Sequence, residues 1–207
     1  MMLQKGGISM QYAAFHDLTT PRLHLRRLAM TDAPTYFTRI GSSPEVTKSM
    51  LWNPHQSLSE SEASIQKALR RYAEGKCYRW GIALKADDSL IGVIEALKFD
   101  EAANTCSFAY MLGKDFWGQG YGTEAVKAVF AFVFSELQVS AILADHFVDN
   151  PASGAVMRKA GMTYTGTVPA KYEKNGVLHD AAQYRITKEE WCSDEIHMLR
   201  FESHTPL

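Results

Sequence analysis

Apolar and polar residues recur along the chain with two different periods, which predict strands and helices in a mixed order. Alternation at period two predicts strands at residues 22–26, 78–84, 90–97 and 106–112, and a short buried run predicts another at 141–144. A period near 3.6 predicts helices at residues 31–40, 59–75, 123–136 and 150–160. The helix between 106–112 and 141–144 makes these two strands parallel, whereas tight turns make the preceding strands antiparallel. The pattern therefore predicts an α/β fold with a mixed sheet.

The two ends of the chain do not share this periodicity. Residues 1–20 are mixed in character, and we expect them to form a poorly ordered lead-in. Residues 21–191 contain the predicted elements, including a final hairpin built from 162–167 and 181–186, and are expected to form a single domain. Residues 192–207 are expected to form a tail. With 207 residues and 46% hydrophobic content, the chain is large enough to bury one core.

A glycine-rich stretch connects the strand at 106–112 to the helix that follows it. Gly118, Gly120 and Gly122 allow left-handed backbone angles and close approach of a ligand, and the helix N-terminus supplies free N–H groups. This combination favours a phosphate site. The stretch is not a P-loop, because Thr123 and Glu124 follow Gly122 where a P-loop has Lys and then Ser or Thr. It also lacks the third glycine of the dinucleotide fingerprint. The simpler alternative is a glycine-rich turn that only leads into an amphipathic helix.

The residues from Trp117 to Ala125 read Trp-Gly-Gln-Gly-Tyr-Gly-Thr-Glu-Ala. They resemble the loop with which the GCN5-related N-acetyltransferases hold the pyrophosphate of acetyl-CoA. Within that superfamily they are most similar to the branch that acetylates the N-termini of ribosomal proteins. A second pattern of the family is matched by Asn150, Ser153, Lys159 and Gly161.

This resemblance extends over residues 21–191 and implies the fold, the donor and the donor contacts. The implied fold is a mixed, mostly antiparallel central sheet with helices on both faces and a splayed parallel strand pair at the acetyl-CoA site. Acetyl-CoA is the implied donor substrate. Its implied contacts are Met111, Leu112, Trp117, Gly118, Gln119, Gly120, Tyr121, Gly122, Thr123, Asn150 and Ser153. Asn150 also precedes Pro151, and this pair suits the start of a helix on structural grounds alone.

The resemblance also implies direct transfer of acetyl from the thioester to an amine, with a backbone N–H near Leu112 binding the oxyanion. The chain departs from the family at two positions, where Ser107 replaces a strand glutamate and Met157 replaces a helix tyrosine. As substitutes we identify Glu95, in an otherwise apolar run, as the candidate base, and Ser153 as the candidate hydrogen-bond donor to the thiolate. Alternatively, Glu95 lies on a solvent face. The departures also fit a non-catalytic acyl-CoA-binding module.

The acceptor is implied to be a primary amine. Trp52 and His55 lie in an apolar, aromatic loop that forms one wall of the acceptor groove in the family, so they are candidate substrate contacts. Trp52 would otherwise plug the edge of the core. The resemblance favours the α-amine of a protein or peptide N-terminus, whose pKa of about 8 leaves a useful neutral fraction. The alternative acceptor is a small amine, such as a polyamine, an aminoglycoside or an amino acid.

Composition and charge exclude several other classes of function. The net charge is −1 and the basic residues are scattered, so neither nucleic acid nor an anionic membrane is an expected partner. No apolar run approaches the ~18 residues of a membrane span. The three cysteines are far apart and the seven histidines lack ligand spacing, so we expect reduced thiols, a cytoplasmic location and no metal. The sequence leaves open whether the chain is a monomer or a homodimer.

Overall fold

The computed structural model describes residues 12–75 and 77–193, and these residues form one eight-stranded sheet with helices around it. The strands are β1 (Leu18–Thr19), β2 (Leu23–Arg26), β3 (Tyr78–Leu84), β4 (Leu90–Asp100), β5 (Thr105–Leu112), β6 (Ala141–Phe147), β7 (Thr163–Lys174) and β8 (Val177–Thr187). The helices are α1 (Ala33–Tyr36), which continues as a π-helical turn at Phe37–Gly41, then α2 (Pro44–Thr47), α3 (Leu58–Ala73), α4 (Tyr121–Ser135) and α5 (Pro151–Lys159).

The strands lie side by side in the order β1-β2-β3-β4-β5-β6-β8-β7. Neighbouring strands are antiparallel, apart from β5 and β6, which are parallel. On one face, α4 buries the apolar stripe formed by Val126, Val129, Phe130 and Val133. On the other face, α1 and α3 form a second buried cluster against β4. The predicted mixed, mostly antiparallel sheet with helices on both faces is confirmed.

The parallel pair separates partway along its length. Thr105–Ser107 of β5 pair with Ala141–Leu143 of β6. Beyond these residues β5 continues to Leu112 beside β4, and β6 continues to Phe147 beside β8. The two strands thus splay apart at the end of the sheet where α4 and α5 begin, which confirms the expected splayed pair.

The N-terminal segment differs from the expected lead-in over residues 1–20. The buried Trp80 indole N–H donates to the His16 carbonyl at 3.0 Å, and the Tyr78 hydroxyl donates to the Ala13 carbonyl at 2.8 Å. Strand β1 then pairs with β2. Ordered packing therefore begins before residue 21, because main-chain carbonyls of this segment satisfy polar groups of buried rings. Residues 1–11 lie outside the described residues, as do 194–207 of the expected tail.

The final hairpin is longer than its predicted strands. It extends from Thr163 to Lys174 and from Val177 to Thr187, and it turns at Asn175 and Gly176 with φ of 52° and 78°. Most side chains near its tip are exposed, so this part has no apolar alternation that would predict a strand. The extra length carries the tip to the loop after α2, beside the site described next.

Candidate active site

A cavity of about 290 Å³ lies at the splayed end of β5. Its walls come from the end of β5, the loop before α4, the first turns of α4 and α5, and α2 with the residues after it. The predicted donor contacts that line it are Met111, Leu112, Trp117, Gly118, Gly120, Gly122, Thr123, Asn150 and Ser153. The fold thus brings the two family motifs into one site.

The loop before α4 has the backbone geometry of an anion-binding site. Gly118 and Gly120 have φ of 74° and 83°, at which a side chain would be strained. Gly120 is also the N-cap of α4, and it has no side chain to accept hydrogen bonds from the first amides. These amides and the positive end of the helix dipole lie where Gly122 and Thr123 line the cavity. Lys159 adds a positive charge, so the site suits a phosphate-containing ligand.

Residues before α1 hold this loop in place. The Glu124 carboxylate accepts hydrogen bonds from the Thr20 hydroxyl at 2.6 Å and from the Arg22 backbone N–H at 3.0 Å. The Arg22 guanidinium pairs with the same carboxylate at 2.6 Å. Arg22 also donates to the Gln119 carbonyl at 2.9 Å and lies 4.4 Å from the centre of the Tyr121 ring. A segment 102 residues away in sequence therefore fixes the start of α4.

The charge on Glu124 is expected to make stability depend on pH. Burial acts to raise the pKa of its carboxyl, but hydrogen bonds from Thr20 and Arg22 outweigh burial and hold the pKa below 4.5, its ordinary value. Such a group stabilises the fold above its ordinary pKa, and this contribution is lost as the pH falls through the folded pKa. Glu124→Gln should therefore lower the free energy of unfolding by about 1–2 kcal/mol at neutral pH and by much less in acid.

Urea unfolding of both proteins at neutral and acid pH measures this difference. The variant Glu62→Gln is the control, because Glu62 is exposed on α3, and it should match the wild type at both pH values. A stability gap for Glu124→Gln that is equally large in acid would show that the charge is not the cause.

The end of β5 directs a backbone amide towards the gap between the splayed strands. The Gly113 N–H donates to the Ile91 carbonyl of β4 at 2.8 Å. Because backbone groups alternate in direction along a strand, the N–H and carbonyl of Leu112 point to the opposite side, from which β6 has separated. The Trp117 indole N–H donates to this carbonyl at 2.8 Å. Trp117 thus fastens the loop to β5, and the Leu112 N–H is directed at the gap.

Two of the predicted donor contacts, Gln119 and Tyr121, do not line the cavity. The Gln119 side-chain amide donates to the Asp115 carbonyl at 2.7 Å, and the Tyr121 ring lies against the Arg22 guanidinium. Both side chains stabilise the loop instead of facing the cavity.

Asn150 and Ser153 start α5 and face the cavity together. The Asn150 side-chain amide donates to the Ser153 hydroxyl at 3.1 Å. Asn150 makes no side-chain cap to the helix backbone, although Pro151 occupies the first turn. Asn150 therefore occupies the N-cap position of α5 without capping the helix through its side chain. Its amide instead binds Ser153 in the cavity wall.

Glu95 lies outside the cavity, on β4 opposite Ala109. Its carboxylate pairs with Arg71 of α3 at 2.6 Å and approaches Arg79 at 3.8 Å, and its side chain is only 17% exposed. The apolar residues around Glu95 in the sequence suggested a carboxylate without an ionic partner. In the structure, strand alternation directs the Glu95 side chain towards α3, where Arg71 pairs with it. The structure gives Glu95 an ion-pairing role and does not support its assignment as the base.

Trp52 and His55 pack against each other, with ring centres 5.0 Å apart. The His55 Nδ1 lies 2.7 Å from the Ser61 hydroxyl oxygen, and burial lowers the pKa of this histidine. Ser49 and Met50 line the cavity, whereas Trp52 and His55 do not. Contact of these two residues with an acceptor stays a prediction.

The sequence analysis missed three polar residues of the cavity, namely Glu45, Ser49 and Tyr110. Glu45, on α2, pairs with Lys114 at 2.6 Å across the mouth between α2 and the loop after β5. No local pattern links positions so far apart. Tyr110 lines the cavity and directly precedes the predicted contact Met111 in the sequence. This position in β5 was the signal that could have identified it.

Within residues 12–75 and 77–193, no group of three or more His, Cys, Asp or Glu side chains is placed to hold a metal ion. None of the helices in these two ranges combines the length and the apolar character that crossing a bilayer requires. The thiols are free, with Cys77 and Cys106 buried and Cys192 exposed.

Comparisons with known proteins agree with this geometry. The family described as "Acetyltransferase (GNAT) domain" matches residues 22–163. The uncharacterized N-acetyltransferase YoaA of Bacillus subtilis (strain 168) is 30% identical over 174 residues, which cover 84% of this chain and 98% of YoaA. YdaF of the same organism, provisionally named a ribosomal N-acetyltransferase, is 28% identical over 139 residues, which cover 67% of this chain and 75% of YdaF.

A solved structure of RimL, described as a ribosomal L7/L12 alpha-N-protein acetyltransferase in complex with coenzyme A, shares the fold. Its TM-score is 0.72 at 20% identity, and the match covers 83% of this chain and 98% of the RimL chain. The family match spans the sheet strands β2 to β6, the glycine-rich loop and α5. The chain therefore belongs to the GNAT acetyltransferase family and is an acetyl-CoA-dependent N-acetyltransferase.

Proposed function

We propose that the chain holds acetyl-CoA in the cavity at the end of β5 and transfers its acetyl group directly to the α-amine of a peptide or protein N-terminus. In this proposal the pyrophosphate lies on the loop at 117–123, and the pantetheine arm passes Asn150 and Ser153 towards Leu112. The uncapped amides of α4 and the positive charge of Lys159 support this placement, because both favour an anion.

The Leu112 backbone supplies the electrostatic help that the reaction needs. When an amine attacks a thioester, negative charge develops on the carbonyl oxygen, and a fixed N–H at that point stabilises the transition state. The direction of the Leu112 N–H, towards the gap left by β6, supports this role. A main-chain donor cannot be removed by replacing a side chain, so it is tested through the strand that positions it.

The cysteines do not suit a covalent acetyl-enzyme. Burial raises the pKa of Cys106 to about 12, and burial also raises the pKa of Cys77. Their thiolates are therefore scarce at neutral pH. These two residues and Cys192 are absent from the described residues that line the cavity. The acetyl group accordingly passes from sulfur to nitrogen in a single transfer.

The cavity offers the acceptor only a weak base, and this observation carries the choice of an α-amine. Glu45 is the one carboxylate among the described residues that line the cavity. A hydrogen bond from Lys114 lowers its pKa, so Glu45 is a poor proton acceptor. An α-amine with a pKa of about 8 is partly neutral without help, whereas a lysine amine, at about 10.4, needs a stronger base.

The acceptor side of the cavity is bounded by two segments that are fastened together. The Lys174 ammonium, at the end of β7, donates to three backbone carbonyls at 2.6 to 3.3 Å. They belong to Thr47, the last residue of α2, and to Lys48 and Trp52 in the loop that follows. The side chains of Asn175 and Asn53 exchange hydrogen bonds at 3.0 Å. Because the same loop lines the cavity, these contacts close one side of the acceptor space. An acceptor that enters by its end is favoured over one that lies across the site.

The names of two similar proteins support the same acceptor class. YdaF is provisionally named a ribosomal N-acetyltransferase, and RimL is described as an alpha-N-protein acetyltransferase. For this chain they favour a protein N-terminus over a small amine.

Steady-state kinetics with matched acceptors tests the proposal. Short peptides with a free N-terminus are expected to give a kcat/KM about 100-fold above the same peptides carrying a blocked N-terminus and one lysine, because their amine is neutral far more often. They should also exceed spermidine. Peptides that are N-blocked and lack lysine are the control and should be inert. A clear preference for the lysine peptides or for spermidine would refute the assignment of the acceptor.

A further inference from the structure

The Tyr110 hydroxyl lies inside the donor cavity, beside the start of α5. The Tyr110 ring stacks against Phe108 with ring centres 6.3 Å apart, on the face of the sheet that α4 covers. Its Cε2 atom lies 3.4 Å from the position that a Cβ on Gly122 would take. The ring therefore passes beneath the first turn of α4, where glycine leaves room for it. Both Tyr110 and Ser153 line the cavity.

Asn150 and Ser153 line the cavity together with Tyr110. The Asn150 amide N–H donates to the Ser153 oxygen at 3.1 Å, so Asn150 and Ser153 share that hydrogen. The nearby Ser153 hydroxyl acts to lower the pKa of the Tyr110 phenol, but burial outweighs this effect. The Tyr110 side chain lines the cavity beneath the first turn of α4, so its hydroxyl is available to a ligand bound there.

The acidity of a phenol suits the protonation of a thiolate. The family's helix tyrosine is replaced here by Met157, which is buried and cannot donate a proton. Of the hydroxyl groups that line the cavity, Ser49, Thr123 and Ser153 are alcohols, and Tyr110 is a phenol with an ordinary pKa of about 10, close to that of a thiol at about 8.5. Burial raises the pKa of Tyr110 despite the opposing bond from Ser153, so the phenol keeps its proton at neutral pH.

We propose that Tyr110, supplied by β5, is the proton donor to the departing sulfur of coenzyme A, in place of the missing hydroxyl at position 157. The amine nitrogen bonds to the acetyl carbon, the carbon–sulfur bond breaks, and its electron pair on sulfur takes the phenolic proton to give the free thiol. The proton lost by the amine returns through water to the phenolate. Asn150 and Ser153, joined by a hydrogen bond, form the cavity wall beside the phenol. This inference rests on the proposed placement of the thioester in this cavity.

Tyr110→Phe tests the role of the hydroxyl while keeping the ring. The variant is expected to lose about 100-fold in kcat with KM for acetyl-CoA changed by no more than about 2-fold, because the donor acts in the transition state and not in binding. Tyr164→Phe is the matched control, since its hydroxyl is exposed and contacts Thr167 on β7, and it should keep wild-type kinetics. Wild-type kcat in Tyr110→Phe would overturn the proposal.

A second readout does not depend on turnover. Coenzyme A bound to the wild type is titrated by the ultraviolet absorbance of its thiolate, and the same titration is done with Tyr110→Phe. Loss of a hydrogen bond to the thiolate should raise the pKa of the bound thiol by about one unit. An unchanged thiol pKa in a variant that still binds coenzyme A would overturn the role of Tyr110 alone. Failure of the wild type to bind coenzyme A would overturn the donor site and this inference together.

Discussion

Replacement of Gly120 by Asp is expected to abolish acetyl-CoA binding, with a rise in Kd of about 100-fold or more. Gly120 has φ of 83°, and a Cβ placed on it lies 3.3 Å from an Arg22 guanidinium nitrogen. The new carboxylate would strain the loop, compete with Glu124 for Arg22 and set a negative charge beside the phosphates. Loss of one or two charge-assisted hydrogen bonds, at about 1.5–3 kcal/mol each, accounts for a factor of this size. Calorimetric titration with acetyl-CoA measures the affinity.

The variant Gly75→Asp separates backbone strain from the effect on the ligand. Gly75 has φ of 72° and an added Cβ would meet nothing within 4 Å, so the same substitution imposes similar strain at the end of α3. It should keep the affinity of the wild type. Circular dichroism of both variants confirms that they fold. A folded Gly120→Asp protein with unchanged donor affinity would refute the loop at 117–123 as the phosphate site.

Replacement of Gly92 by Ala is expected to lower the free energy of unfolding by about 3 kcal/mol, or Tm by about 6–12 °C. Gly92 lies opposite Leu112. A Cβ at this position would lie 2.5 Å from the Met111 carbonyl oxygen and 2.5 Å from the Leu112 Cδ2. The Met111 oxygen belongs to the backbone, so the two strands would have to move apart. Because this shift displaces the Leu112 N–H, kcat should fall even in protein that remains folded.

Gly81→Ala is the matched control, on the neighbouring strand β3. Its added Cβ would lie 2.8 Å from the Leu90 Cδ1 and 3.0 Å from the Leu28 Cδ2, which are the ends of side chains that can rotate. The expected loss is less than about 1.5 kcal/mol, with kcat unchanged. Thermal unfolding and acetyl-transfer assays on both variants measure these effects. Equal losses of stability and activity in the two variants would show that the close approach at Gly92 does not position the β5 amide.

The order of elements and the donor loop could be predicted because each is encoded locally. Period-two alternation predicts β3, β4 and β5, and the spacing of Gly118 and Gly120 before an apolar helical stripe predicts the loop and α4. Both signals lie within a few residues of the feature that they predict. The family motifs add the second half of the cavity, at Asn150 and Ser153, which no local pattern could have placed beside the first.

The parts that could not be predicted depend on contacts between distant segments. Glu95 reads as an isolated carboxylate until the fold brings Arg71 of α3 to it at 2.6 Å. The role of Glu124, on α4, depends on Arg22, from the turn between β1 and β2. Side-chain partners of this kind are set by tertiary packing, so the sequence around a charged residue does not determine its chemistry.

The N-terminal segment accepts hydrogen bonds from two buried rings, so the folded unit begins before the boundary of the family match. The family match starts at residue 22, yet Trp80 and Tyr78 donate to the carbonyls of His16 and Ala13. A polypeptide trimmed to the family boundary would keep both rings in the core and leave their N–H and O–H groups without these acceptors, at a cost of about 1–3 kcal/mol each. The stretch by which the family is recognised therefore leaves out contacts that stabilise the core of this enzyme.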